Sequence, residues 1–402
     1  MHVLYFYQHF STPSGSTGTR AYEMAKELIA KGHKVTVVCG SVDTATTGLD
    51  GEVKRGVRKG VVEGIDVIEI VLPYSNYHSL LRRAFTFLRY AFRGVIIALT
   101  TKYDLLFATS TPLTAGIPGI AMRILKPMKP FVFEVRDLWP ELPKAMGVIR
   151  NPVILFGMSL LERTSYLCAT KCIGLAPGIC EGIQKKSFKG KRVELIPNGC
   201  DTELFRPPVS APKSSGPLRA VFTGTHGLAN GLDAVLDAAA LLLKRKEREI
   251  ELHFIGNGKL KPNLVQRVED EGLSNCFFHD SIPKVELAKR LPSFDLGLMI
   301  LDNVPAFYFG TSPNKFFDYI SCGMPVLNNY PGWLAELIEQ HNCGVAVTPS
   351  SPEDFADALV FFRDNPEKRS SMGVASRRLA ESTFSRAKLS NDFISCLESA
   401  LL

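Results

Sequence analysis

Residues 3–39, VLYFYQHFSTPSGSTGTRAYEMAKELIAKGHKVTVVC, decide the fold. The run from Val3 to Tyr7 is short, apolar and aromatic, which suits a strand. Residues 11–19 carry Ser, Thr, Pro and Gly, the chemistry of a loop. Ala21, Met24, Ala25, Leu28 and Ile29 then recur at helical spacing, and the pattern stops at Gly32. Residues 35–39 form a second continuous apolar run. Strands without polar alternation are covered on both faces, so strand, helix and strand here belong to a parallel sheet.

The same rhythm runs outward. Further strands are expected at residues 67–71, 105–108, 131–135, 172–175 and 193–196. Ile196-Pro197-Asn198-Gly199 reads as a turn, and residues 207–217, rich in Pro, Ser and Lys, read as a linker. The rhythm restarts with a strand at 219–224, an apolar helix at 232–243, and strands at 251–256, 295–300, 325–328 and 345–347. Residues 352–365 and 366–402 read as helical. The expected protein is α/β, with two Rossmann-like, doubly wound parallel-sheet domains at 1–205 and 206–375. A C-terminal helix at 376–402 is expected to pack back on the first domain. Ligands of open parallel sheets gather at the carboxyl ends of the strands, so two such domains facing across a cleft offer a binding place.

Composition sets the class. Of 402 residues, 46% are hydrophobic and 22% charged, which excludes a disordered or collagen-like chain. Nine cysteines are scattered without a C-x-x-C pair, so reduced thiols in a cytosolic protein are expected, with no disulfide scaffold and no structural zinc. The chain shows no basic stretch followed by a long apolar one at its start, and no run of 18 apolar residues, so neither a secretory signal nor a membrane-spanning helix is expected.

Charge is unevenly divided. Residues 1–200 hold 26 Lys and Arg against 15 Asp and Glu, a balance of +11, and residues 201–402 hold 21 against 25, a balance of −4. No acid lies between Glu69 and Asp104. Within that gap, residues 80–93 read LLRRAFTFLRYAFR. Arg82, Arg89 and Arg93 fall at helical spacing, with Arg83 beside them, and Leu81, Phe85, Leu88 and Phe92 form an apolar stripe. Two readings fit. The helix lies in an anionic lipid interface, or it packs on the sheet with its arginines in water. Residues 112–131, apolar except for Arg123, Lys126 and Lys129, and the apolar residues 152–161 add weight to the first. Nucleic acid is not expected as a partner, because no aromatic and basic binding motif accompanies the charge.

Several loops could hold phosphate. Gly15, Ser16 and Thr17 lie between the first strand and first helix, where backbone amides and a helix N-terminus attract anions. Thr225 and His226 follow one strand of the second half, and Gly256, Gly258 and Lys259 follow the next. The segment from Phe309 to Val326, FGTSPNKFFDYISCGMPV, is the most informative. Asn314 and Lys315 can donate to phosphate or hydroxyl oxygens, and Asp318 can accept from the vicinal hydroxyls of a ribose. The competing reading of Lys315 and Asp318 is a surface ion pair three residues apart.

These residues carry a likeness. With Gly15-Ser16-Thr17, Gly32-His33-Lys34-Val35, Ile196-Pro197-Asn198-Gly199 and Asp318 through Pro325-Val326, the chain resembles glycosyltransferase family 4, retaining nucleotide-sugar transferases of the GT-B fold. Arg136-Asp137-Leu138-Trp139-Pro140-Glu141 and Ser312-Pro313-Asn314-Lys315 look like the subgroup that builds bacterial surface polysaccharides such as O-antigen and capsule. That subgroup acts on polyprenyl-diphosphate-linked sugars at the cytoplasmic face of the inner membrane. The resemblance implies that the C-terminal domain holds the nucleotide sugar and the N-terminal domain the acceptor. Asp318 matches the second acid of the family's E-x7-E motif, and the first falls on Gly310. The Arg and Lys that many members carry in the loop matching residues 225–231 are missing, which leaves Lys315 to neutralise the donor diphosphate. A His that many members place near Arg136 is missing too, which leaves Arg136, Asp137 and Glu141 as candidates for contact with the sugar.

The reading is therefore a metal-independent transferase without a cofactor, moving a sugar from a nucleotide diphosphate to a lipid-linked acceptor. A uridine nucleotide and an N-acetylated hexose are the family-weighted expectation. Catalytic candidates are Arg136, Asp137, Glu141 and Lys315, and Arg82, Arg83, Phe85, Arg89, Phe92 and Arg93 would meet membrane and acceptor. Two alternatives remain open: an epimerase or hydrolase of the same fold, using Asp137 and Glu141 as acid and base, or a non-enzymatic module recruited to lipid by the basic helix.

Overall fold

In the computed structural model, which describes residues 1–75, 77–208 and 216–402, apolar strands assemble into two separate sheets. The chain divides into two compact units. The first comprises Met1–Pro197, Phe309–Ser312 and Ala387–Leu402, and the second Asn198–Tyr308 and Pro313–Arg386.

The first unit is built from β1 (His2–Phe6), α1 (Arg20–Ala30), β2 (Lys34–Val42), β3 (Val57–Val62), β4 (Ile65–Tyr74), α2 (Leu80–Thr100), β5 (Leu105–Thr109), α3 (Ile117–Leu125), β6 (Phe131–Val135), α4 (Glu141–Ala145), α5 (Pro152–Cys168), β7 (Lys171–Gly174), α6 (Pro177–Lys186) and β8 (Val193–Leu195). Its sheet runs β3-β4-β2-β1-β5-β6-β7-β8, and all pairs are parallel except β3 with β4. Strand order reverses between β1 and β5, the switch point at which open sheets bind ligands.

The second unit contains β9 (Leu218–Thr223), α7 (Asp233–Lys244), β10 (Ile250–Ile255), α8 (Lys261–Asp270), β11 (Cys276–His279), α9 (Lys284–Arg290), β12 (Leu296–Met299), α10 (Asn314–Ser321), β13 (Val326–Asn328), α11 (Trp333–Gln340), β14 (Gly344–Ala346), α12 (Pro352–Asp364) and α13 (Pro366–Ser382). Its strands run β11-β10-β9-β12-β13-β14, all parallel, with the reversal between β9 and β12. The last helix, α14 (Arg386–Glu398), carries the chain back into the first unit.

Local chemistry explains the ends of several elements. Gly32 takes φ +82 after α1, a left-handed turn that costs glycine least. Asn151 caps α5, its side chain accepting from the amides of Val153 and Ile154, with Pro152 in the first turn. Ser351 caps α12 in the same way ahead of Pro352. The core of the second unit sets Phe222, Phe254 and Leu298 of the sheet against Val235, Leu236 and Leu242 of α7 and Phe355, Leu359 and Phe362 of α12, all buried. Each such side chain contributes about 1.5–3 kcal/mol relative to exposure.

A buried pair holds the end of the first unit. The Arg20 guanidinium meets the Glu134 carboxylate at 2.8 Å and donates to the carbonyls of Ile196 (2.9 Å) and Pro197 (2.6 Å). Thr109 donates to the other Glu134 oxygen at 2.8 Å. A pair this dry persists because hydrogen bonds meet its remaining atoms, and removing one partner costs about 3–5 kcal/mol.

The structure departs from the sequence reading in three places. β3 is an antiparallel edge strand with a charged, partly exposed face, and its Arg58 and Lys59 hide it from a search for apolar runs. β11 has only four residues. The single C-terminal helical stretch is two helices, α13 and α14, broken where Ser385 bridges Cys200. Most of the expected linker falls on residues 209–215, outside the described residues.

Candidate functional site

Three chain segments meet at the carboxyl ends of β9 and β10. Gly224 (φ +135) leaves β9, and Gly256 (φ +153) leaves β10. A Cβ on Gly256 would lie 1.9 Å from the Gly224 carbonyl oxygen, and one on Gly258 would lie 2.3 Å from that of His226. Only glycine allows these two loops to lie backbone against backbone. The His226 amide donates to the Asn257 carbonyl at 3.0 Å, and the Leu260 amide to the His226 carbonyl at 3.0 Å. Lys261 braces the second loop, its ammonium donating to the Gly256 carbonyl (3.1 Å), the His279 carbonyl (2.9 Å), Asn257 Oδ1 (3.0 Å) and Asp280 Oδ1 (2.7 Å). Among the described residues, the amides of Thr225, Gly227 and Gly258 donate to no protein acceptor.

Lys315, in the first turn of α10, reaches this place. Its Nζ lies 3.6 Å from where a Gly224 Cβ would stand and 4.0 Å from the centre of the Phe222 ring, and it donates to Asn230 Oδ1 at 2.7 Å. Among the described residues no carboxylate oxygen lies within 4.0 Å of it. Desolvation pushes the ammonium down to about 7. The competing ion pair with Asp318 does not form. Asp318 is buried, with Lys284 at 3.9 Å, and burial raises its carboxyl while Lys284 and Arg386 oppose. Tyr319 ties α10 to β9, its hydroxyl accepting from the Thr223 amide at 2.8 Å and lying 3.1 Å from Thr223 Oγ1.

Other residues marked in the sequence lie apart from this cluster or turn away from it. His226 is fully buried among Phe222, Phe254 and Phe278, both ring nitrogens lack a partner, and burial drives it down to about 4. Its backbone serves the site and its side chain serves packing. Lys259 and Asn314 are exposed.

In the first unit the Gly15 amide donates to the Thr12 carbonyl at 3.0 Å, and the Ser16 amide and hydroxyl to the Thr44 carbonyl at 3.2 Å each. A Cβ on Gly15 would strike Ser11 Oγ at 2.2 Å and the Thr46 amide at 2.9 Å. This loop is pinned to residues 44–46, so the two amides expected to meet an anion already have acceptors. Thr17 Oγ1 is buried without a partner.

Arg136 and Asp137 follow β6. Arg136 Nη1 donates to the Tyr7 hydroxyl at 2.8 Å, and Asp137 accepts from Thr111 at 3.3 Å, with burial raising its carboxyl. Glu141 Oε1 is ion-paired with Lys186, which also meets the buried Glu162 at 2.6 Å. Burial lifts the Glu162 carboxyl to about 7. Asn230, Lys261 and His9 were missed in the sequence. Asn230 lies in the loop already marked, but nothing in its spacing points to Lys315.

Helix α2 resolves into two unlike faces. Thr86, Tyr90, Ala91, Gly94 and Ala98 are buried, whereas Leu81 is 84% exposed, Phe85 61% and Phe92 69%. Tyr90 and the small residues face the protein, and Leu81, Phe85 and Phe92 face out. Arg82 and Arg89 are exposed. Arg93 donates to the Gly56 carbonyl at 2.8 Å, and Arg83 lies over the Tyr74 ring at 5.6 Å, so neither is a free surface cation as expected. α2 packs against α3, and α3 against α5. α5 likewise exposes Val153, Phe156 and Leu160. Among the described residues no helix is long and apolar enough to cross a membrane, and no group of three or more His, Cys, Asp or Glu could hold a metal ion. All nine cysteines are free, and seven are buried.

Two parallel α/β units of this kind define a class, and the comparisons name it. The structure aligns with sucrose-phosphate synthase from Thermosynechococcus elongatus at a TM-score of 0.76 and 16% identity, covering 99% of this chain and 98% of that one. It aligns with Anabaena HepE in complex with UDP and glucose at 0.69 and 16%, covering 99% of each, and with WaaG, a glycosyltransferase involved in lipopolysaccharide biosynthesis, at 0.70 and 17%, covering 98% and 99%. The fold is GT-B. Residues 17–204 match the model of Glycosyltransferase Family 4, and residues 208–379 that of Glycosyl transferases group 1. Between them the two matches span most of the chain and support a glycosyltransferase of the family-4 type. A curated relative, the D-inositol 3-phosphate glycosyltransferase of Paenarthrobacter aurescens (strain TC1), is 30% identical over 205 residues, and the match spans 48% of each chain. The matched region is thus about half the length of that relative.

Proposed function

We propose that this chain is a retaining glycosyltransferase that binds a nucleotide diphosphate sugar in the second unit and passes the sugar to a polyprenyl-diphosphate-linked acceptor. The observation that carries it is Lys315. An ammonium with no carboxylate beside it, held over the end of β9 next to the free amides of Thr225, Gly227 and Gly258, is a seat for a diphosphate. As the glycosidic bond breaks, negative charge grows on the leaving phosphate oxygen, and fixed donors stabilise it there. In the retaining course that the family resemblance suggests, the acceptor hydroxyl attacks the same face and the departing phosphate oxygen takes its proton. Amides and one lysine supply this charge without a divalent ion. The likeness to a structure holding UDP and glucose supports a uridine donor, and an N-acetylated hexose is the sugar we test first.

A panel of nucleotide sugars should raise the melting temperature, because a ligand that binds only the folded form stabilises it. Transfer should persist in EDTA. No shift with any nucleotide would sink the proposal.

We further place the protein at the cytoplasmic face of a bacterial inner membrane, in the assembly of a surface polysaccharide such as O-antigen or capsule. Large apolar side chains of α2 and α5 facing out, Arg82 and Arg89 beside them, and the lack of acids between Glu69 and Asp104 favour an anionic bilayer as the occupant of this face. The protein should sediment with vesicles containing an anionic lipid and release as salt rises. Equal indifference to neutral and anionic vesicles would remove the membrane from the account.

A further inference from the structure

The first unit gathers two guanidinium groups without a close ion pair, although the carboxylates of Glu134 and Asp137 act on Arg136 from further off. Arg136 follows β6, with Nη1 on the Tyr7 hydroxyl at 2.8 Å and Cζ 5.2 Å from the Tyr7 ring centre. Arg83 sits in the first turn of α2, Cζ 5.6 Å from the Tyr74 ring centre, and its Nε is buried without an acceptor. His9, on the loop after β1, links them. Its ring centre is 6.1 Å from that of Tyr7 and 5.0 Å from that of Tyr74. Among the described residues neither arginine has a carboxylate oxygen within 4.0 Å. Both repel a proton from His9, which burial and these two charges push down to about 4, so the imidazole is neutral at physiological pH. The cluster stands at the carboxyl ends of β1, β4 and β6, beside the β1/β5 switch point, where open sheets take ligands.

We propose that Arg83 and Arg136, with His9 between them, bind the diphosphate group of the lipid-linked acceptor; the assignment rests on the transferase reading above. Two cations and a neutral hydrogen-bonding ring match a group that carries several negative oxygens and no donor of its own. The lipid source is favoured over a nucleotide by the position of Arg83. Leu80, three residues before it on the same side of α2, is 54% exposed, so a diphosphate held at Arg83 has an exposed apolar side chain beside it for the start of a prenyl chain. Arg83 is thereby a headgroup-binding residue rather than one more surface charge.

Binding of farnesyl diphosphate, farnesol, inorganic pyrophosphate and UDP to the full chain tests this, with wild type compared against Arg83→Gln and Arg136→Gln. Wild type should bind farnesyl diphosphate about tenfold or more tightly than farnesol, and each substitution should weaken that binding about tenfold, while the UDP-induced melting shift stays as in wild type. Pyrophosphate should bind weakly and lose the same factor. Farnesyl diphosphate binding equal in wild type and Arg83→Gln overturns the proposal. So does a parallel loss of UDP, which assigns the arginines to the nucleotide. If Arg136→Gln fails to fold, Arg83→Gln at the exposed start of α2 decides alone. A wild type that binds farnesyl diphosphate through these arginines but no nucleotide sugar would fail the transferase reading and leave this site standing.

Discussion

The loop after β1 and the loop after β9 leave their sheets at equivalent places, yet they use their hydrogen bonds in opposite ways. After β1, Gly15 and Ser16 give their amides to the carbonyls of Thr12 and Thr44. After β9, among the described residues, Thr225 and Gly227 keep theirs, and Lys315 comes to rest nearby with Asn230 as its one hydrogen-bond acceptor. Both loops contain glycine for the same steric reason, close approach of backbone to backbone. Glycine therefore marks a crowded turn in both units, and the second turn also sets a cation, Lys315, beside amides without a protein acceptor. A strand-to-helix glycine is a sign of packing until its amides are shown to be free.

The sharpest way to break this contrast is Lys315→Ala. Loss of one donor aimed at developing charge lowers turnover by about 10²–10³, equivalent to about 2.7–4 kcal/mol. The protein should stay folded, as circular dichroism and a melting curve would show. Turnover within a few-fold of wild type would end the special standing of the second loop.

Gly258→Ala comes next. The new methyl meets the His226 carbonyl oxygen, a backbone atom that cannot swing aside. Overpacking of this kind costs about 1–3 kcal/mol, and the nucleotide-induced melting shift should shrink with it. Gly15→Ala strains its loop against Ser11 and Thr46 and lowers stability on a similar scale, but the nucleotide shift should survive. If the two glycine variants lose nucleotide equally, the loops are not different in kind.

The sign of the pH dependence is fixed. Lys315 titrates near 7 in the folded protein and near 10.5 when exposed. Below pH 7 both states hold the proton, and the full cost of the desolvated charge is present. Between 7 and 10.5 the unfolded chain binds more protons than the folded one, so stability rises with pH across this window. The melting difference between wild type and Lys315→Met should therefore narrow from pH 6 to pH 9. A gap that widens over this range would contradict the assignment. Ser16→Ala should have the least effect, about 1 kcal/mol or less, from loss of one exposed hydrogen bond.

Much of this architecture was legible because it rests on apolar periodicity. Residues 131–135 were read as a strand with the bounds that β6 has, since FVFEV is apolar at four of its five positions and buried throughout. β3 was not legible, because Arg58 and Lys59 at its second and third positions interrupt any apolar run. Helix α2 shows a deeper limit. The sequence displayed its stripe of Leu81, Phe85, Leu88 and Phe92, but periodicity alone does not say which face meets the protein. Tyr90, Gly94 and Ala98, less conspicuous, make the inner contact. At the candidate site, the loops at 225 and 256 were marked from their place after strands and Lys315 from its place near a helix start. The Lys186 pairing that occupies Glu141 was not, because the two are 45 residues apart and meet only in the fold.

Tyr319 gives the second loop one further property. Lys315 and Tyr319 stand one helical turn apart on α10, and the phenol is anchored to Thr223, the last residue of β9. The ammonium is thus carried on a helix clamped to the very strand whose end it overlies. Its position is set before any ligand arrives, so little ordering entropy remains to be lost on binding, and a Tyr319→Phe chain would forfeit affinity through looseness while every atom that touches the ligand stayed in place.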